Sequence, residues 1–216
     1  VLFWPEAALP VFAARAPGLL ARLERPLAEA GSALVLGVPD LTPDPVAPDT
    51  LRFLNTARVL GAGSGRYVKH HLVPFGEYVP LEGLLRGLIT FLDLPMSRAL
   101  PGPAVQPVLN AAGQRWATPI CYEVVFPSLV RGLARDATVL ATLSNDAWFG
   151  DSLGPEQHHQ MARFRARELG RPMVRVTNDG VTALINAQGE ETARLPRFSP
   201  AVLTGIVQPQ RGLTPY

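Results

Sequence analysis

The sequence predicts an α/β protein built on a layered sheet. Short apolar runs alternate with helix-periodic segments through much of the chain, and three strand-like runs then follow closely enough to pair as neighbours. Neither a helical bundle nor an all-β sandwich produces that mixture. Hydrophobic residues make up 47% of the 216 and are spread from end to end, which suits one domain with one extensive core.

Residues 1–4 (VLFW) are a short apolar run of strand length. Residues 15–30 read as a helix because Leu19, Leu20, Leu23 and Leu27 recur at helical spacing. Residues 33–38 (ALVLGV) form a second buried strand, and residues 40–49, where prolines and aspartates alternate, are expected to be loop. Residues 51–60 and 66–69 follow as strands around a glycine-rich turn. That turn, GAGSGR, lacks the last glycine of G-x-G-x-x-G and misplaces the serine of G-x-S-x-G, so it carries no chemistry.

Leu81, Leu84, Leu85, Leu88, Ile89 and Leu92 share one face of a helix over 81–92. Residues 95–107 are loop-like in composition, and residues 108–111 and 114–120 suggest a hairpin turning at Gly113. Pro127 suits the first turn of a helix running to 135, because its missing N–H has no partner there anyway. Residues 139–143 are a strand, and residues 155–169 a helix that Gly170 can end. Strands at 173–177, 182–186 and 191–195 complete the set, the last two joined through Ala187, Gln188 and Gly189.

Twenty Lys and Arg against 18 Asp and Glu leave a formal charge of +2, too small and too dispersed for a phosphate-binding stripe. Nucleic acid is not an expected partner. The single cysteine leaves a free thiol and says nothing about the redox compartment. No uncharged apolar run approaches the ~20 residues of a membrane-spanning helix, and no signal-peptide pattern opens the chain. His70-His71 and His158-His159 are adjacent pairs without the i, i+4 spacing of a metal site, so no metal is expected. Arg163, Arg165, Arg167, Arg171 and Arg175 read as surface groups or partners of Glu168.

Cys121, in TPICYEVVFP, lies between an apolar run and the helix expected at Pro127. It is either a packed small hydrophobe or a nucleophile at the sheet edge whose pKa nearby N–H groups lower. A thiol nucleophile needs a base and a donor for the oxyanion. Glu6, in FWPEAALP, directly follows a strand and a proline, and Lys69 ends another strand in RYVKHHLVPFGEYVP, with Glu77 in the fixed turn beyond. Open α/β sheets build sites at the carboxyl ends of strands. Three strands ending in a carboxylate, a cation and a thiol therefore favour the nucleophile.

WPE, the lysine of YVKHH and the cysteine of PICYEVVFP resemble, in order, the Glu-Lys-Cys triad of the nitrilase superfamily. WPEAALP, KHHLVPFGEYVP, ICYEVVFP, SNDAWFG, QHHQMARFRARELGRP and VRVTNDGVTALINAQG resemble its apolipoprotein N-acyltransferase branch and span most of residues 3–189. The resemblance implies a four-layer αββα sandwich, one nitrilase-like catalytic domain over residues 1–216, and a ping-pong acyl transfer that uses no cofactor. Cys121, deprotonated by Glu6, would take an acyl chain from a phospholipid donor as a thioester. The α-amino group of a diacylglyceryl-apolipoprotein acceptor would then attack it. Lys69 and a backbone N–H near Tyr122 would stabilise the oxyanion, Glu77 would hold Lys69, and Tyr122 and Glu123 would shape the pocket wall.

Trp148 and Phe149 of NDAWFG would contact acyl chains, the alternative being ordinary core aromatics. The leucine face over 81–92 would line a lipid mouth, or else be core. The resemblance also implies membrane-spanning helices on both sides of the domain, holding it at the periplasmic face of a bacterial inner membrane, and a first strand and helix before Val1. The 216 residues include none of these. A soluble nitrilase-type amidase or carbamoylase with the same triad, and a non-catalytic lipid-binding module, are the competing readings.

Overall fold

A computed structural model of the chain describes residues 1–80 and 99–216, so the leucine-rich helix expected over 81–92 lies outside the described residues. The first sheet has the order β1 (Leu2–Trp4), β2 (Ala33–Pro43), β3 (Leu51–Gly61), β5 (Arg66–Val68). The second runs from β11 (Glu191–Arg194) through β10 (Ala183–Ile185), β9 (Met173–Asn178), β8 (Val139–Asn145), β7 (Gln114–Ala117) and β6 (Leu109–Ala111) to β4 (Gly63–Ser64). Among the described residues, three α-helices accompany them: α1 (Pro17–Glu29), α2 (Pro127–Ala134) and α3 (Gly154–Leu169).

The period-two alternation of β2 sets the layers. Leu34, Leu36 and Val38 pack with Leu20, Leu23 and Leu27 of α1. Ala33 and Val35, on the opposite face, join Leu109, Trp116 and Leu140 in the core shared by the two sheets. Phe3 of β1 enters the same core, its ring 4.8 Å from that of Trp116 and steeply inclined to it. Leu133 and Ala134 of α2, with Ala162 and Ala166 of α3, cover the second sheet. The order is helix, sheet, sheet, helix. Each buried Leu or Val adds roughly 1.5–3 kcal/mol of transfer free energy.

Residues 40–43, expected as loop, are strand. The β2–β3 ladder continues from Asp40 opposite Leu54 to Pro43 opposite Leu51. Two things permit this. Beyond Leu36, β2 pairs with β3 alone among the described strands, and a strand paired on one side only is where sheets tolerate proline. Asp40 is also held in place: its carboxylate lies 3.1 Å from both Arg58 and Arg66 and accepts the Ala14 N–H.

Strand direction decides where the chemistry falls. β1 runs parallel to β2, and β5 is antiparallel to β3, itself antiparallel to β2, so β1 and β5 point the same way. Glu6 and Lys69, just past their ends, therefore emerge on one side. β7, β8 and β9 are mutually parallel; Asn145 and Asn178 are the last residues of β8 and β9, and Cys121 follows β7, so all three come to the same region.

Candidate active site

Lys69 is 1% exposed and sits between two carboxylates. Its Nζ lies 3.3 Å from Glu6 Oε1, and 3.0 and 2.9 Å from the two oxygens of Glu77. Asn55 Nδ2 donates to Glu6 Oε1 at 2.6 Å and to Glu77 Oε1 at 2.8 Å, so a neutral amide helps one ammonium hold two buried acids. Burial works against the ammonium, but Glu6, the Cys121 sulfur and Glu77 together raise its pKa above the ordinary lysine range. It stays charged.

Glu6 is fixed from further sides. Its Oε2 accepts the Asn145 N–H at 2.8 Å and its carbonyl accepts from Asn178 Nδ2 at 3.1 Å. Gly37 makes room for this, since a Cβ there would come 2.7 Å from Glu6 Cα. Sequence reading missed Asn55, Asn145 and Asn178. The signal for Asn55 was present: LRFLNTARVL places an asparagine in an otherwise strand-forming run.

Cys121 opens a single 3-10 turn, Cys121–Val125, rather than preceding the N-terminus of α2 directly. The expectation of a lowered thiol pKa is therefore corrected. Burial, and then the Glu6 carboxylate, push the thiol up, and the positive charge of Lys69 offsets this only in part. The balance favours the protonated thiol.

Glu123 is fully buried and ties the thiol's turn to the lysine's strand. Its Oε1 accepts from Tyr67 Oη and from the N–H groups of His70 and His71 at 2.7–3.0 Å, and its Oε2 accepts the Ile120 N–H at 2.7 Å. Among the described residues, four of the six non-glycine residues with positive φ lie at the same place. Ala7, Phe75, Cys121 and Asp179 all have φ between 50° and 61°, a left-handed conformation costing a non-glycine residue about 1–3 kcal/mol. Each lies at Cys121 itself or within two residues of Glu6, Glu77 or Asn178.

Tyr122 is half-buried, its ring 5.0 Å from Phe126 and nearly perpendicular to it. Trp148 and Phe149 lie on the turn Asp146–Phe149 that follows β8, 78% and 46% exposed, so they are not core aromatics. The arginines depart from expectation. Arg165 does pair with Glu168 at 2.7 Å, but Arg165, Arg171 and Arg175 are buried. Arg171 donates to the carbonyls of Ala137 and Gly212, and Arg175, in β9, meets Asp146 Oδ2 at 2.7 Å.

Cys121, Asp146 and His158 bring potential metal-binding atoms within 4.8 Å of one another. The carboxylate already lies 2.9 Å from the His158 ring, and the guanidinium of Arg175 supplies the positive charge, which opposes a cation there. A groove of about 870 Å³ runs along β1 and β9. It touches Asn145 and Asn178 on the flank of Glu6 and is not lined by Cys121 or Lys69.

Residues 1–214 match the family described as carbon-nitrogen hydrolase. The chain belongs to that family. Among carbon-nitrogen hydrolase relatives, it is 53% identical over its full length to an apolipoprotein N-acyltransferase of Azotobacter vinelandii and 49% identical to one of Pseudomonas aeruginosa, covering 42% of each. It is 41% identical to one of Vibrio parahaemolyticus, covering 44%. The chain thus spans less than half the length of these curated relatives. In solved structures, the fold resembles the Caenorhabditis elegans NitFhit protein (TM-score 0.66, 17% identity, 90% of this chain and 49% of that one). It also resembles a Nesterenkonia amidase mutant carrying an acetamide moiety on its active-site cysteine (TM-score 0.63, 23% identity, 90% and 72%). At those identities the likeness concerns the fold alone.

Proposed function

We propose that the chain is the catalytic domain of an apolipoprotein N-acyltransferase, moving a fatty acyl chain from a phospholipid to the α-amino group of a diacylglyceryl-modified cysteine. One juxtaposition carries the reading. Glu6 and Lys69 form a buried ion pair at 3.3 Å whose charges both act on the Cys121 thiol, in a chain 53% identical throughout to a relative of that name.

In the first half-reaction, the Glu6 carboxylate takes the thiol proton as sulfur attacks the ester carbonyl carbon of the donor. A carbon–sulfur bond forms and the carbonyl oxygen becomes an oxyanion. Lys69 and the Tyr122 N–H face it, an arrangement in which one fixed donor contributes about 10²–10³-fold in rate. Collapse expels the lysophospholipid alkoxide, which recovers the proton from Glu6, and leaves a thioester on Cys121. In the second half, the acceptor amine attacks the thioester carbon, Glu6 takes the amine proton, and collapse returns a protonated thiol and an amide.

Glu77 keeps Lys69 aimed, Glu123 holds the wall behind Cys121, and Tyr122 borders the pocket. Trp148 and Phe149, exposed beside the site, meet acyl chains. Among the described residues, no helix is long and apolar enough to cross a membrane. Placement of the domain at the periplasmic face of a bacterial inner membrane belongs to the same reading.

The test gives the full-length protein a phospholipid with a labelled acyl chain and a diacylglyceryl-cysteinyl peptide. N-acylated peptide and lysophospholipid in equal amounts are expected. Ammonia release from short amides without phospholipid, and no labelled peptide, would assign the site to an amidase instead.

A further inference from the structure

The carbonyl of Cys121 has an unusual partner. His158 Nε2, from α3, lies 3.1 Å from it. A carbonyl oxygen only accepts, so Nε2 carries the proton whichever form the ring takes. The other ring nitrogen, Nδ1, is 2.9 Å from Asp146 Oδ1 and 3.1 Å from Arg175 Nη2, and Arg175 donates to Asp146 Oδ2 at 2.7 Å. The three side chains are buried, at 6%, 0% and 0% exposure. The chain of contacts runs from β9 through the start of the Asp146–Phe149 turn and α3 to the nucleophile. Gly180 leaves space for it, since a Cβ there would come 2.7 Å from Asp146 Cγ.

A peptide unit is planar, with its C=O and N–H pointing in opposite directions. Holding the Cys121 oxygen therefore also aims the Tyr122 N–H, which belongs to the same plane. Cys121 needs such support because its φ of 50° is strained for a non-glycine residue.

We propose that Arg175, Asp146 and His158 form a buried relay that positions the Cys121–Tyr122 peptide, and that His158 thereby sets the direction of the backbone donor to the oxyanion. His158 is a positioning residue that acts through this plane. The role rests on the acyl-transfer reading only in naming the Tyr122 N–H as an oxyanion donor.

Two probes that need no phospholipid separate the possibilities in the full-length protein. Acylation of Cys121 by p-nitrophenyl butyrate builds an oxyanion, and alkylation by iodoacetamide does not. His158→Asn retains an amide at the Nδ1 position facing Asp146 but does not reach the carbonyl. It is expected to slow acylation about 10- to 100-fold, somewhat less than outright loss of a donor, while alkylation changes by less than about threefold. His158→Gln places an N–H at the Nε2 position and is expected to keep both rates within about threefold of wild type. Equal slowing of both reactions by His158→Asn, no slowing of either, or a His158→Gln variant as slow in acylation as His158→Asn would overturn the role. A wild type that transfers nothing from phospholipid but shows the expected ratios overturns the functional reading alone. A wild type that the ester does not acylate overturns both.

Discussion

A thiol that keeps its proton attacks esters poorly, and Cys121 sits where burial and the Glu6 carboxylate both oppose its ionisation. In the proposed mechanism Glu6 is therefore needed as base for turnover, even though its charge disfavours the thiolate at rest. Glu6→Gln is expected to lower the acylation rate about 10²–10⁴-fold, the usual worth of a positioned general base. The same substitution removes a negative charge that raises the thiol pKa. The pH profile of iodoacetamide alkylation should accordingly move to lower pH, and an unchanged or upward-moving profile would remove Glu6 from the base role. Glu6, Lys69, Glu77 and Cys121 were legible in the sequence because each follows a strand or sits in a turn fixed by proline and glycine. His158 was not: as half of an adjacent pair it showed no metal spacing. Its contacts lie 12, 17 and 37 residues away, and no local pattern encodes them.

The turn Cys121–Val125 and the segment around Lys69 are joined through Glu123, which accepts from four donors. An amide in its place has one oxygen and must present N–H groups to at least one of those donors. Glu123→Gln is thus expected to destabilise the protein by about 1–3 kcal/mol, the cost of an unsatisfied buried polar group. The measurement is the urea midpoint at constant slope. An unchanged midpoint would mean that the two segments are held by other contacts. Element reading succeeded where a period was strong, as in α1 and the hairpin of β6 and β7. It failed at residues 40–43, where proline and aspartate signalled a loop. The strand continues there because it is paired on one side and Asp40 is anchored by two arginines.

Across the whole molecule, two sheets deliver their strand ends to one region, and the α/β class was legible from alternation alone. Which sheet each strand joins was not. The two-residue β4 pairs in the second sheet although its chain neighbours β3 and β5 belong to the first, and such long-range pairing leaves no local trace. The second sheet is also cross-linked to α3 by the buried Arg175–Asp146–His158 contacts, with consequences for acid stability. Burial raises the Asp146 carboxyl, but His158 and Arg175 more than offset this, so its folded pKa lies below the ordinary value. A depressed carboxyl stabilises the fold above its unfolded pKa of about 3.9, and that contribution is lost as pH falls through the folded value. Asp146→Asn should be less stable than wild type at neutral pH and should flatten the acid limb of stability against pH, measured by chemical denaturation. A variant that keeps the wild-type slope would show that the carboxylate titrates alike in the folded and unfolded chains.

In the proposed reaction Cys121 carries the acyl group between donor and acceptor. The most direct measurement is peptide mass spectrometry of the full-length protein after incubation with phospholipid and no acceptor. A fatty acyl mass on the peptide containing Cys121, released by hydroxylamine and absent from Cys121→Ser, is the predicted result. A wild type that transfers acyl chains while Cys121 gains no mass, or a Cys121→Ser variant that transfers at the wild-type rate, would contradict it.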